Sequence, residues 1–200
     1  MTNPAPLFDP DTARGRLLAT AARLFREKGY AGTTVRDIAG EVGILSGSLF
    51  HHFSSKEDIL FVVMESVITA MLHDLEVALA DAPTPQGRVR ALIAVELAYL
   101  HGPASDATSV LFHDWRALSP ERQTPLLQGR NAYFSLWHAT LSEARAEGLT
   151  TLEPEILRQF LHGALAWTSF WYRPNGGLTL GALTDRAVAL ALGAADTDAL

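Results

Sequence analysis

The sequence predicts an all-α protein in which a small three-helix domain precedes a larger body of about six helices. Apolar residues recur at helical spacing nearly throughout the 200-residue chain, and strand patterns are almost absent. Two short helical stretches meet at Gly43, whereas the stretches from Glu57 onward are long. We therefore predict one domain over residues 1–56 and a second over residues 57–200.

The composition limits the class of protein. Hydrophobic residues make up 48% of the chain, enough for one sizeable core or for a small domain plus a larger one. No apolar run approaches the ~20 residues that span a bilayer, and the amino terminus lacks the pattern of a signal peptide. The chain has no cysteine, which excludes disulfides and thiolate metal sites. We expect a cytoplasmic protein that does not bind membranes.

The net charge of −6 is unevenly distributed. Residues 1–60 carry seven basic and seven acidic side chains, whereas the remainder carries nine basic and fifteen acidic ones. A neutral segment joined to an acidic body indicates two separate roles. The charge by itself does not predict nucleic-acid binding, which usually relies on local positive charge.

The first helix is expected to begin near Pro10 and to end at Gly29. Asp9, Asp11 or Thr12 can cap its start. Glycine at its end supplies the left-handed residue that satisfies the last carbonyls. Its predicted buried stripe consists of Ala13, Leu17, Leu18, Ala21, Leu24 and Phe25.

The second helix lies in "TTVRDIAGEVG" and has only about eight residues, too few to be stable alone. Thr34 and Asp37 have the spacing of a capping box. Ile38 and Val42 are expected to point inward, and Gly43 ends the helix.

The third helix lies in "GILSGSLFHHF", a run that is poor in helix formers. Leu45, Leu49 and Phe53 recur every four residues and predict an inward face. Gly47 costs about 1 kcal/mol relative to alanine in a helix, but it lets another surface approach the backbone closely. The opposite face is expected to show Ser46, Gly47, Ser48, Phe50 and His51.

Two short helices joined by a tight glycine turn are typical of a helix-turn-helix, whose second helix enters the DNA major groove. In that arrangement Ser46, Ser48 and His51 can bond to base edges or phosphates. Phe50 can contact a thymine methyl group. The candidate phosphate contacts are Thr34, Arg36 and Lys56.

The array "LFREKGYAGTTVRDIAGEVGILSGSLFHHFSSKEDIL" resembles the amino-terminal domain of the TetR family of bacterial repressors. The resemblance covers roughly residues 12–62 in one unbroken register. It implies that His52 faces a phosphate. Phe50 stands where the family usually has tyrosine, and Leu45 replaces a common capping serine, which leaves Ser46 as the expected cap.

The resemblance also implies a function. The chain would be a homodimeric transcriptional repressor that binds a palindromic double-stranded DNA operator and leaves it when a small-molecule effector binds the helical body.

The body is predicted to contain helices over residues 57–80, 84–101 and 107–116, a long one that follows "SPER" and runs up to Gly148, one from 154 to the "RPNGG" turn, and a last one over 179–192. The penultimate helix carries two neighbouring apolar stripes, which indicates burial on both sides. One stripe can cover the protein's own core. The resemblance implies that the other joins a symmetric four-helix interface made by the last two helices of each subunit.

The ending "W-x-x-x-W-Y-R-P-x-G-x-L" resembles a subgroup of TetR-like repressors that respond to acyl-CoA thioesters. Such an effector needs aromatic and aliphatic walls with a few polar anchors. Arg173 is a further phosphate-binding candidate, or it caps the end of its own helix. For the aromatic residues, ordinary core packing is the alternative. The candidates are Tyr99, Phe112, His113, Trp115, Arg116, Arg130, Phe134, Trp137, His138 and Trp167.

Two other functions compete with this interpretation. An enzyme is not expected, because the sequence has no zincin, nucleophile-elbow, P-loop or Rossmann motif. No cofactor is expected either. No metal site is expected, because His51 and His52 are neighbours and point about 100° apart. The other alternative is a dimerising adaptor that has lost DNA affinity, which the neutral charge of residues 1–60 and Phe50 leave open.

Overall fold

The computed structural model describes residues 6–193, and every regular element within them is a helix. The all-α prediction is confirmed, and six α-helices follow residue 55, as expected. The helices are α1 (Ala13–Gly32), α2 (Val35–Val42), α3 (Ser46–Leu49), α4 (Lys56–Ala80), α5 (Pro85–His101), α6 (Ser105–Asp114), α7 (Pro120–Ala146), α8 (Pro154–Trp171) and α9 (Leu180–Leu192). A 3₁₀ turn at Trp115–Ala117 follows α6, which begins and ends two residues earlier than predicted.

The chain forms two compact units. The first unit comprises the chain up to Ala70 together with Gly102–Arg130. The second comprises Met71–His101 and the chain from Asn131 onward. The segment 102–130 belongs to the first unit because α6 packs against α1. The predicted domain boundary after residue 56 stays a prediction.

In the first unit, Thr12 caps the start of α1, and its hydroxyl accepts a hydrogen bond from Gly15 N at 3.0 Å. The predicted stripe from Leu17 to Phe25 is buried, but Ala13 is exposed because it lies in the first turn, ahead of the buried part of the helix. Gly15 is required here, since a Cβ at this position would come within 1.9 Å of Asp9 O.

Gly29 interrupts α1 rather than ending it. Its φ of 74° is left-handed, as predicted, but one further helical turn follows up to Gly32. The buried hydroxyl of Thr33 donates to Leu24 O at 3.1 Å and to Gly29 O at 2.9 Å. The single hydroxyl proton of Thr33 is shared between these two carbonyls and ties the end of α1 to the helix before the kink.

Segment 102–130 is tied to the first helices at several points. Arg26 on α1 pairs with Asp106 on α6. The side chain of Glu57 accepts a hydrogen bond from Ser119 N at 2.7 Å, just before α7. Arg122 pairs with Asp58 at 2.9 Å. The start of α4 is therefore held against the start of α7.

In the second unit, α5 packs against α8 and α9, and α8 packs against α9. The prediction of two apolar stripes on α8 is confirmed. Leu157, Leu161 and Leu165 are buried, whereas a neighbouring stripe is exposed. The exposed stripe consists of Ile156, Phe160, Trp167, Phe170 and Trp171. Over residues 6–193, no helix combines the length and the hydropathy needed to cross a membrane.

Candidate functional site

The start of α2 is locked by the predicted capping box, which is confirmed. Asp37 N donates to Thr34 Oγ1 at 3.1 Å, and Thr34 N donates to Asp37 Oδ2 at 2.8 Å. The Thr34 hydroxyl and backbone N–H hold the pKa of the Asp37 carboxyl below its usual range. The Thr34 hydroxyl also donates to the Asp37 carboxylate at 2.7 Å, so it is already engaged within the cap.

The turn between α2 and α3 depends on Gly43. Its φ of 79° and ψ of 30° are left-handed, a conformation that side chains with a Cβ rarely adopt. Gly43 N donates to Gly40 O at 3.2 Å, and Ile44 N donates to Ala39 O at 2.9 Å. These bonds close α2 and set the direction in which the chain enters α3.

The third helix is a single four-residue turn that is anchored by buried side chains. Leu49 and Phe53 are buried, as predicted. Leu45 contradicts the prediction of an inward side chain and is 81% exposed. Its backbone is extended, with φ −70° and ψ 141°, so helical spacing does not apply to it. Leu45 is also the N-cap, so the expectation that Ser46 caps α3 is wrong.

The outer surface of α3 carries the residues predicted to read DNA. Gly47, Phe50 and His51 are exposed, and Ser46 and Ser48 are half-buried. A Cβ at Gly47 would meet no other atom within 4 Å, so glycine leaves open space on this surface. Among the predicted phosphate contacts, Thr34, Arg36 and His52 are also exposed. Their contacts with DNA stay predictions.

Lys56 is engaged within the protein. Its Nζ donates to Tyr30 O and to Thr33 O, both at 2.8 Å, and lies 4.1 Å from the centre of the Tyr30 ring. An ammonium group has three N–H donors, and these two carbonyls use two of them. The structure therefore gives Lys56 a positioning role that the sequence analysis missed, and its phosphate contact stays a prediction.

The predicted ligand-binding residues divide between the two units. Those in the first unit are Phe112, His113, Trp115, Arg116 and Arg130. Phe112 and His113 are exposed, and His113 Nδ1 lies 2.7 Å from Ser109 O. The Arg116 guanidinium lies 5.9 Å from the Trp115 ring centre. These placements do not test ligand binding.

The second unit contains Tyr99, Phe134, Trp137, His138 and Trp167. Tyr99 and Trp137 are buried, and the Tyr99 hydroxyl donates to the Asp74 carboxylate at 2.8 Å. Trp167 is 62% exposed, with its ring centre 4.5 Å from that of Phe170. His138 is exposed and lies 3.0 Å from the Glu155 carboxylate.

Arg173 caps the end of its own helix, as one of the two predicted roles required. Its Nη1 donates to Tyr172 O at 3.1 Å and to Phe170 O at 3.4 Å. Both carbonyls lie at the carboxyl end of α8, where a cation complements the unpaired acceptors.

A buried polar chain crosses the second unit, and the sequence analysis did not predict it. Glu96 on α5 is 4% exposed, and its carboxylate accepts a hydrogen bond from the Tyr133 hydroxyl on α7. His162 Nε2 on α8 lies 3.1 Å from that hydroxyl and 3.5 Å from Glu96 Oε2. Arg158 Nη1 lies 3.5 Å from His162 Nδ1 on the other side of the ring.

These distances determine the direction of the hydrogen bonds. A guanidinium can only donate, so His162 Nδ1 must accept from Arg158 and the proton must be on Nε2. His162 Nε2 then donates toward Tyr133, and Tyr133 donates to Glu96. The chain runs in one direction, from Arg158 to Glu96, through a neutral imidazole.

Burial shifts the pKa values of these groups. Loss of water raises the pKa of Glu96 to about 7, against the opposing effects of the Tyr133 hydrogen bond and the Arg158 charge. Burial and the nearby Arg158 charge lower the pKa of His162 to about 4. Both shifts favour the uncharged forms, as expected where water is excluded.

Aromatic rings surround the imidazole. The centres of the Tyr133, Trp137 and Phe134 rings lie 4.8 to 5.9 Å from that of His162. The Trp137 indole nitrogen is buried, and it is the one buried side-chain polar atom in the described residues without a hydrogen-bond partner. A single glutamate within "AVELAYL" and a single histidine within "QFLHGAL" were the only sequence signals for this cluster.

Two family models match the chain. The model described as "Bacterial regulatory proteins, tetR family" matches residues 17–63. The model described as "Tetracyclin repressor-like, C-terminal domain" matches residues 82–195, more than half of the chain.

Individual proteins match nearly the whole chain. The HTH-type transcriptional repressor KstR2 of Rhodococcus jostii is 30% identical over 94% of this chain and 95% of its own. The structure of the ketosteroid transcriptional regulator KstR2 of Mycobacterium tuberculosis has a TM-score of 0.83 at 28% identity, covering 92% and 95%. The crystal structure of the superantigen pfit has a TM-score of 0.78 at 46% identity, covering 91% and 90%.

The helix-turn-helix geometry, the two family models and a repressor relative of nearly the same length agree with one another. The chain belongs to the TetR family and is a ligand-responsive, DNA-binding transcriptional repressor.

Proposed function

We propose that this TetR-family repressor binds a palindromic operator as a homodimer and leaves it when a small apolar or acyl-CoA-type effector binds the helical body. The observation that carries the proposal is the outer surface of α3. It presents a glycine with open space beside it and short polar side chains, on a turn held by the buried Leu49 and Phe53.

We assign base reading to the outer surface of α3 and phosphate contacts to the residues around it. Small side chains allow the helix to approach the floor of the major groove, where donors and acceptors distinguish the base pairs. The phosphate contacts fix the register without reading sequence. The reading residues are Ser46, Gly47, Ser48, Phe50 and His51, and the phosphate residues are Thr34, Arg36, His52 and Lys56.

The exposed stripe of α8 supports a homodimer. Five large apolar side chains in one stripe are more than a monomer usually leaves in water, and Leu190 on α9 is exposed as well. A two-fold interface made by α8 and α9 would bury this surface, as the family resemblance implies. It would also supply two reading helices for half-sites about 34 Å apart.

This interface can be tested with a charge. Phe160→Glu should weaken the dimer at least about a hundredfold, because a carboxylate would be buried without a partner. Ser169→Glu adds the same charge at an exposed position about 180° around the same helix and should leave the dimer intact. Sedimentation velocity over a dilution series measures both. A Phe160→Glu protein that stays dimeric would show that this stripe is not the interface.

The aromatic interior of the second unit supports an apolar effector. Tyr99, Phe134 and Trp137 supply aromatic surface, and the chain from Arg158 to Glu96 supplies polar groups. The relative KstR2 is named as a ketosteroid regulator, which favours a ligand with a large apolar body. An effector shifts the DNA-binding equilibrium only by its differential affinity for the two states, typically about 1–3 kcal/mol.

DNA binding is tested by selecting duplexes from a random pool and measuring the selected duplex by fluorescence anisotropy at two salt concentrations. We expect saturable binding that resists unrelated competitor DNA and weakens as salt rises, because bound phosphates release counterions. Lack of selection would favour the dimerising adaptor.

We place the repressor in the cytoplasm, where bacterial DNA lies. The superantigen activity named for pfit belongs to that chain, and no described feature of residues 6–193 specifies it.

A further inference from the structure

Leu45 is the most exposed large apolar side chain in the described part of the molecule. It stands at the N-cap of α3, where serine, threonine, aspartate or asparagine would accept a hydrogen bond from the first turn. Leucine cannot accept one, and no side-chain cap is present. The position therefore gives up a cap and exposes apolar surface, and neither choice stabilises the folded chain.

The backbone on both sides of Leu45 is held firmly. Ile44 N donates to Ala39 O, and Ser48 N donates to Leu45 O, both at 2.9 Å. Leu49 is fully buried one turn later. The Leu45 side chain therefore extends into solvent from a backbone position that is bonded in both directions.

This position is the amino-terminal end of α3. In helix-turn-helix proteins, the residues at that end of the recognition helix contact base edges in the major groove. The edges present hydrogen-bond donors, hydrogen-bond acceptors and one apolar group, the C5-methyl of thymine. An aliphatic side chain can gain from only the last of these.

We propose that Leu45 is a specificity-determining residue that contacts a thymine C5-methyl group in each operator half-site. The inference rests on the proposed placement of α3 in the major groove. Ser46 and Ser48 suit the polar edges of neighbouring bases, so the first turn of α3 would combine polar and apolar reading. Phe50 lies at the other end of α3 and would contact a different base.

The test replaces each operator thymine in turn with uracil, which removes the methyl group and keeps the base pair. Wild-type protein should lose affinity about fourfold per half-site at one thymine, the value expected for one buried methyl group. Uracil at that thymine should have no effect on Leu45→Ala or Leu45→Ser. Leu152→Ala, which truncates an exposed leucine outside the DNA-contact residues, is the matched control and should keep the sensitivity at that position.

The serine variant separates reading from folding. Serine can cap α3, so Leu45→Ser should raise the melting temperature while it abolishes the uracil effect. If Leu45 has only a structural role, uracil will affect Leu45→Ser and wild type equally at every thymine, and that result overturns the inference alone. If the wild-type protein selects no duplex, DNA reading by α3 is overturned, and the inference with it.

Discussion

Lys56 in the first unit and Glu96 in the second are both charged groups taken out of water, and their surroundings differ. Lys56 is half-buried, donates to two carbonyl oxygens and lies against an aromatic face. Glu96 is almost fully buried and meets one hydroxyl and a neutral imidazole, and its pKa rises to about 7. The Lys56 ammonium group is compensated by acceptors from the backbone, whereas the Glu96 carboxylate can lose its charge near neutral pH.

The largest expected effect is on the pH dependence of stability and concerns Glu96 and His162 in the second unit. Between about pH 4.5 and 7 the folded chain holds a proton on Glu96 that the unfolded chain has lost, so this residue makes stability fall as pH rises. Between about pH 4 and 6.5 the unfolded chain holds a proton on His162 that the folded chain lacks, so this residue makes stability rise. In wild type the two slopes oppose each other.

Single substitutions should reveal the two opposing dependences of stability on pH. With Glu96→Gln, stability should rise with pH between 4 and 6.5 by up to about 1.4 kcal/mol per pH unit. With His162→Gln, it should fall with pH between 4.5 and 7 by a similar amount. Urea unfolding followed by circular dichroism across this range measures both. Identical pH profiles in wild type and both variants would show that the buried chain does not couple folding to protonation.

The next largest effect is expected when the Lys56 ammonium group in the first unit is removed. Lys56→Met keeps an unbranched apolar side chain and removes the ammonium group, which leaves Thr33 O without this donor and Tyr30 O with only the longer bond from Thr33 N at 3.3 Å. We expect a loss of about 2 kcal/mol in the free energy of unfolding. Lys28→Met removes an exposed lysine from α1 and is the control.

The two proposed roles of Lys56 also differ in their effect on DNA. A purely phosphate-contacting lysine would weaken DNA binding with little change in stability, and it would lower the salt dependence. If Lys56 positions the helices, its replacement should mainly lower the free energy of unfolding. Lys56→Met with wild-type stability and a reduced salt slope would refute the positioning role.

The smallest effect concerns the cap of α2. Thr34→Ala should cost about 1 kcal/mol, because the N–H of Asp37 loses its acceptor. Thr34→Ser keeps the hydroxyl and should stay within a few tenths of a kcal/mol of wild type. Thermal unfolding of the two variants gives the difference. Equal melting temperatures would show that the capping box contributes nothing to the stability of the first unit.

Features that depend on near neighbours in the chain were predicted correctly. Gly29 and Gly43 adopt left-handed conformations, Thr34 and Asp37 form the capping box, and α8 carries two neighbouring apolar stripes. Each of these follows from residues within a turn or two of one another, where spacing determines geometry. The family was recognised on the same basis, because its motifs lie in one continuous segment.

Features that depend on distant segments were missed. Glu96, Tyr133 and His162 are 29 to 66 residues apart on three helices, and each is a single polar residue that no local period marks. Lys56 reaches carbonyls 23 and 26 residues earlier. Leu45 was misplaced because helical spacing was applied to a residue whose backbone is extended.

The sequence by itself determined the helices, the capping box of α2 and the family, because these depend on interactions between near neighbours along the chain. Only the tertiary structure decided which polar side chains meet inside the second unit and that Leu45 faces solvent. Those outcomes depend on how complete helices pack and on where the backbone leaves helical geometry, and neither is recorded in local spacing.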